Sequence, residues 1–472
     1  MELLSDEVEG ITVAAGRVTR NRWGQPHAVW YSGALMTSRI TLGSRDRNIL
    51  HLAVPALGSL AADPLLSMVD TALVGHLGVA PLAALAISVV VFNLAFMVFN
   101  FLAYATTGPV ARRLGSGRAE EIPAFAAQAL WLALLLGIAG TVAAEIAAEP
   151  LGRLVGAQNE VLALFLAYFR IRILALTPLL ITLTGHGLFR GLQDTRTPLF
   201  ITVSVNTLNG LLAYFLIYPV GLGVRGAAIA TLSAQSVGAL LFLWRATRRL
   251  KPLARPGVWR PRGAPMRELL RLSRDLAFRT IALYGTYFLS TTAATRMGTV
   301  EVAAHQVALD LWMFLAMVVD SLAIAGQALI GRHLGLGQSA EARAIGVRTL
   351  WWSVGAGAVL GLGYWLMRGL LPRIFTSDPQ VLAGIALAFP FVAALQPLNG
   401  YVFALDGILI GASDTGYLAR WMTVSVAAAA AIILLALWND WGLQGIWAGL
   451  ALLMAGRGLT NSLRFQSGRW AR

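Results

Sequence analysis

Apolar stretches of about 20 residues recur from position 49 to position 464, the length a helix needs to cross the hydrocarbon core of a bilayer. Of the 472 residues 57% are hydrophobic and 13% charged, whereas a soluble domain carries nearer about a quarter charged residues. The chain is therefore expected to be an all-α polytopic membrane protein. Twelve spans can be drawn, near 49–73, 82–106, 121–144, 161–188, 197–219, 225–247, 272–295, 302–329, 345–368, 381–408, 416–437 and 443–464.

The remaining segments set the expected orientation. Residues 1–45 have no spanning run and lack the parts of a signal peptide, so they read as a cytoplasmic tail, with Met36 an alternative start. Residues 245–274 hold ten Lys or Arg among prolines and glycines, a basic linker that belongs in the cytoplasm. The Arg-bearing turns 111–118 and 331–338 and the tail 457–472 fall on the same side. Both termini are expected to be cytoplasmic in a multi-pass protein of the inner (plasma) membrane. The expected division is a tail at 1–45, an N-lobe at 46–248, a linker at 249–271, a C-lobe at 272–465 and a tail at 466–472. A net charge of +14 residing in short loops fits anionic headgroups and not nucleic acid. With no cysteine, disulfides, thiolate metal sites and Cys nucleophiles are excluded.

The two halves repeat each other. ARRLGSGRAEE (111–121) matches GRHLGLGQSAE (331–341) at an offset of 220, which also pairs GLFRGLQDT (187–195) with GILIGASDT (407–415) and Gly78 with Gly298. At offset 219, GVRGAAIA (223–230) meets GLQGIWAG (442–449). An even number of spans per half gives both halves one orientation, hence two six-helix lobes about a pseudo-two-fold axis along the membrane normal. The glycine-rich turns lack the strand–helix context of a dinucleotide fingerprint and read as tight turns.

The first span, 52–78, carries two acids, Asp63 and Asp70. A charge at membrane depth costs at least about 2.5–3.5 kcal/mol, so it is seldom kept without use. Desolvation opposes the charged form of a carboxyl, and donated hydrogen bonds favour it. An acid held between those influences can exchange a proton in the working pH range, as a proton-coupled carrier requires. The other reading of Asp70 is a packing residue satisfied by neighbouring donors. Asp63 shares its helix face about 10 Å away; it is a second coupling acid or a partner of the kink that Pro64 introduces.

PLLSMVDTALVGHLG (64–78), RRLGSG (112–117), YFRIR (168–172), GLFRGLQDTRTP (187–198), GVRGAAIAT (223–231) with Gln235, AAHQVAL (303–309) and DGILIGASDT (406–415) together resemble the multidrug and toxic compound extrusion (MATE) family, most closely its DinF-like branch. The resemblance covers nearly all of 48–465. It implies cation-driven export of bulky, often cationic, amphipathic compounds by twelve helices in two lobes. It also implies a polar N-lobe cluster in which Asp70, Asn209 and Thr231 take three of the branch's positions, the last two donating hydrogen bonds to the acid. The branch's second Asp falls on Ala213, so a two-carboxylate site is not available. The sodium-using branch has acids on helices 7 and 10. Helix 7 here has none and helix 10 has Asp406, which argues for protons.

Transferred to the second half, Asp70, Asn209 and Thr231 fall on Ser290, Ala429 and Leu450, so the cluster is expected in one lobe only. Asp310, Asp320 and Asp406 lie within or beside second-half spans as substrate-cavity candidates, Asp320 the deepest. Phe92, Phe96 and Met313 are apolar candidates for the cavity wall, or lipid-facing and packing residues. His186 and His305 are expected to be structural, and no grouping has metal-site spacing. The expected function is a proton-coupled antiporter for amphipathic or cationic small molecules, working as a monomer with no cofactor beyond the proton or sodium gradient. The alternative is a flippase of lipid-linked precursors or an organic-anion exporter, which would need basic residues in the cavity where the candidates here are acidic. No catalytic motif suggests an enzyme.

Overall fold

A computed structural model describes residues 43–471. The tail expected at 1–45 lies outside the described residues except for its last three. The helices in the first half are α1 (Ser44–Gly75), α2 (Val79–Met97), α3 (Phe101–Gly115), α4 (Ile122–Leu154), α5 (Asn159–Leu174), α6 (Leu176–Gly191), α7 (Arg196–Ile217) and α8 (Gly223–Leu250). Those in the second are α9 (Gly263–Met297), α10 (Thr299–Gly335), α11 (Ser339–Leu366), α12 (Leu371–Phe375), α13 (Pro379–Ala394), α14 (Gln396–Gly411), α15 (Thr415–Trp438) and α16 (Gly442–Gln466).

Seven of these helices are long and apolar enough to cross a membrane, and nine spans result if two bent pairs each count as one. The α2–α3 pair, α9 and α16 complete twelve. They fall short of that length or apolarity for local reasons: α2 and α3 are each short because a 3-10 turn at Val98–Asn100 separates them, α9 opens on Arg267, Glu268 and Arg271, and α16 carries Arg457 and Asn461. The linker is shorter than the sequence suggests. Leu269, Leu272 and Leu276 recur at helical spacing and are buried together, which draws the start of α9 back to Gly263.

The internal repeat is written into the backbone. The α5–α6 pair bends by 42° after Leu174 and the α13–α14 pair by 50° after Ala394, positions 220 apart. Gly117 and Gly337, in the two matching turns, have φ of +74° and +72°, and Gln193 and Ser413 have +62° and +60°. The left-handed conformation explains glycine at the first pair. One difference stands out: α10 runs unbroken for 37 residues where its counterpart is split into α2 and α3.

The halves clamp each other at the linker end of the bundle. A Cβ on Gly115 would stand 2.0 Å from the Arg332 carbonyl oxygen, and one on Gly335 2.2 Å from that of Arg112. Arg112 donates to the Ala412 carbonyl at 3.0 Å, Arg332 to Gln193 Oε1 at 3.1 Å, and Gln193 to the Ala328 carbonyl at 3.2 Å. Ion pairs Arg113–Glu268, Arg45–Glu341 and Arg348–Asp46 join α3 to α9 and α1 to α11 at the same end.

Candidate functional site

Asp70 lies five residues before the end of α1, one wall of a cavity of about 540 Å³. The same cavity is lined by Ser88 and Phe92 of α2, Tyr168 and Arg172 of α5, Thr231 and Gln235 of α8, and, from the second half, Tyr284 of α9 and Met317 of α10. Pro64 also lines it, within an α1 that continues through the proline without a break.

Asn209 reaches Asp70 from α7. Its Nδ2 donates to both carboxylate oxygens at 3.2 Å, and the residue is buried. Thr231 departs from expectation. Its hydroxyl donates to the Ala227 carbonyl one turn back, at 3.0 Å, so it offers the cavity a lone pair and not a hydrogen. Ala213, where the resemblance would place a second acid, is fully buried among Val74, Leu85, Ile217 and Ala227. Apolar packing occupies that position.

Sequence reasoning missed Arg172. Its guanidinium lies over the Phe92 ring, 3.7 Å from the centroid, in the same cavity as Asp70. The expectation of an acidic cavity is therefore corrected: one carboxylate and one guanidinium share it. The available signal was an Arg inside a predicted span, four residues after Tyr168 and so on the same helix face. Phe92 is thus a wall residue, as expected, and also a platform for the cation.

A second, smaller pocket of about 110 Å³ adjoins the first, with Asn100 and Tyr284 lining both. Asp320 and Asp406 line it with Tyr104, Arg279 and Gln327. Asp406 is not a lone acid. It accepts from Arg279 and Arg457 and, at 2.8 Å, from Asn461 Nδ2, all buried. Fixed by three donors, it holds the network together and is a poor candidate for binding a substrate cation. Asp320 lines this smaller pocket and not the cavity that holds Asp70. Gln327 Nε2 donates to the Tyr104 carbonyl across the halves at 3.0 Å.

Two cavity candidates are elsewhere. Asp310 is exposed on α10, accepts from Gln306 at 3.0 Å and lines neither cavity. Met313 packs against the second-half core, and Met317, one turn on, is the methionine in the wall. The side chains of Asp63 and Phe96 lie outside the described residues. His186 and His305 are in van der Waals and hydrogen-bonding contact with Phe242 and Thr202, and with Trp447 and Ser290.

At the repeat-related place in the second half, the described side chains pack on one another. Phe92 corresponds to Trp312, and the Trp312 and Trp447 rings lie 4.9 Å apart there. Arg172, Asn209 and Thr231 correspond to Val392, Ala429 and Leu450, all fully buried in one apolar cluster with both tryptophans. The polar cluster exists in the first half alone, as the sequence comparison of the halves anticipates.

The family model described as MatE matches residues 55–215 and again 276–435, so each half carries one copy. Protein DETOXIFICATION 44, chloroplastic, of Arabidopsis thaliana is 33% identical over 442 residues, covering 91% of this chain and 82% of that protein. DNA damage-inducible protein F of Escherichia coli is 28% identical, covering 89% and 92%. Among solved structures, a variant of the Vibrio cholerae MATE transporter VcmN superposes with a TM-score of 0.81 at 20% identity, covering 90% of this chain and 97% of that one.

Proposed function

The chain belongs to the MatE family, a multi-pass membrane protein, and from that premise we propose that it exports small organic molecules in exchange for protons carried by Asp70. The observation that carries this reading is the placement of Asp70: it is bonded to a two-fold donor, Asn209, and lines a cavity that both halves help to enclose. Protonation removes the charge that the Asn209 amide binds, and the freed bond lets α1 repack against α7. Loss of the proton on the other side restores the bond. Each proton moved inward contributes about 2.3 kcal/mol per 100 mV of membrane potential.

The clamp at the linker end closes one access route, so the cavity opens on the other side. The basic linker supports a cytoplasmic location for the clamped end, which makes this an outward-open arrangement in an inner membrane. We read the working unit as a monomer, with the two halves of one chain as the cavity's walls.

Substrate efflux from proteoliposomes under an imposed proton or sodium gradient tests the reading, with Asp70→Asn beside wild type. Transport driven by the proton gradient in wild type and absent from the variant is expected. Transport that is indifferent to pH and survives the substitution would defeat it.

A second reading, export of organic anions, is favoured by Arg172, which puts a cation in the larger cavity. A carboxylate or phosphate could pair with that guanidinium. Competition between a cationic and an anionic solute in the same vesicles separates the readings.

A further inference from the structure

Away from the transport cavity, α4, α6 and α8 enclose a second hollow at the linker end of the first half. Its volume is about 240 Å³, and Ala126, Ala127, Leu130, Leu188, Leu243 and Val258 give it an apolar wall.

The roof is the linker, and it is fastened down. Trp131 Nε1 donates to the Trp259 carbonyl at 2.8 Å, Gln128 Nε2 to the Arg260 carbonyl at 3.1 Å, and Gln128 Oε1 accepts the Arg262 N–H at 3.1 Å. Gln128 is fully buried, so α4 spends a buried amide on holding the linker over this space. Two cations, Arg248 and Lys251, complete the lining. Arg248 stacks on the Trp244 ring, 4.2 Å from its centroid, and among the described residues no ion pair joins it or Lys251 to a carboxylate.

We propose that this hollow binds one anionic phospholipid, an acyl chain against its apolar wall and the phosphate between Arg248 and Lys251. The lining argues for a chain: an apolar wall on membrane-spanning helices gives a polar solute few partners. The charge argues for an anionic headgroup, because basic residues beside an anionic leaflet each gain about 1 kcal/mol from it. The location argues for lipid as the source of both, since the hollow lies between the basic linker and the membrane-spanning helices α4, α6 and α8. A lipid seated there would brace the segment that joins the two halves.

Native mass spectrometry of the full chain in detergent, given equal amounts of phosphatidylglycerol and phosphatidylcholine, tests this. One phosphatidylglycerol is expected to be retained over phosphatidylcholine by about tenfold or more. Arg248→Gln with Lys251→Gln should bring that ratio to near one. Ala127→Trp, which fills the hollow, and Ala254→Trp, which fills it from the exposed roof, should abolish retention with both cations still present. Excess inorganic phosphate should leave the retained lipid in place. Equal retention of the two lipids, or preference that persists after charge removal, overturns the proposal. Retention unaffected by either tryptophan, or displaced by phosphate, reduces the site to a headgroup contact and overturns it too.

Discussion

Gly115 of α3 meets the Arg332 carbonyl of α10 so closely that a Cβ on the glycine would stand 2.0 Å from the oxygen, and the repeat-related Gly335 meets Arg112 in the same way. The turns in which the two halves look most alike in sequence are where they touch each other. A side chain at either glycine must separate α3 from α10, because the obstacle is backbone.

Gly115→Ala or Gly335→Ala should therefore prise open the linker end. Overpacking of this kind costs about 1–3 kcal/mol, enough to move the balance of open and closed states by roughly tenfold. Spin labels placed across the α3–α10 crossing should report a longer distance in either variant, and export should slow. An unchanged distance distribution contradicts the clamp.

Asn209→Ala removes both hydrogen bonds that Asp70 accepts at 3.2 Å. Hydrogen bonds to a charged group contribute about 1.5–3 kcal/mol, so gradient-driven transport should fall about tenfold or more, with Asp70→Asn falling to the level of protein-free vesicles. Both should retain the thermal stability of wild type within a few degrees. An Asn209→Ala protein that transports at the wild-type rate shows that the amide is only a packing group.

Arg172 shares its cavity with Asp70, and its charge should bear on which solutes enter. Arg172→Gln is expected to raise the ratio of cationic to anionic solute transport about tenfold, the worth of one charge-assisted hydrogen bond. Paired uptake measurements with one solute of each sign give that ratio directly. A ratio that does not move places Arg172 outside the path of the substrate.

Asp406→Asn leaves Arg279 and Arg457 buried without their shared carboxylate. Removing one partner of a buried pair costs about 3–5 kcal/mol. The apparent Tm in detergent should drop markedly, and adding Arg457→Met should recover part of the loss. A variant as stable as wild type would mean that water already screens the network.

Helix number, the internal repeat and the meeting of Asp70 with Asn209 were legible in the sequence, because hydropathy, offset and motif each carry their own signal. The cations were not. Arginines were weighed by the loops they occupy, so Arg172 and Arg279 were not read as site residues and Arg457 was assigned to the terminal tail, although all three lie inside helices. Depth along a helix was also easier to judge than direction around it. Asp310 and Asp320 both lie on α10, but ten residues turn the helix so that their side chains are about 80° apart; one faces outward and the other lines a pocket. Nor could pattern alone pair Asp406 with Arg457, 51 residues away on another helix. Thr231 illustrates a last limit: residue type says that a hydroxyl is present, and only geometry says that its hydrogen is already given to Ala227.

The 3-10 turn at Val98–Asn100 interrupts the hydrogen-bond ladder between α2 and α3, and no such interruption weakens α10. Bending is cheapest where that ladder is already broken. The two lobes are therefore unequal in stiffness along these matched segments: the carboxy-terminal one keeps a continuous rod, and the amino-terminal one has its joint at Asn100, in the wall of both chambers.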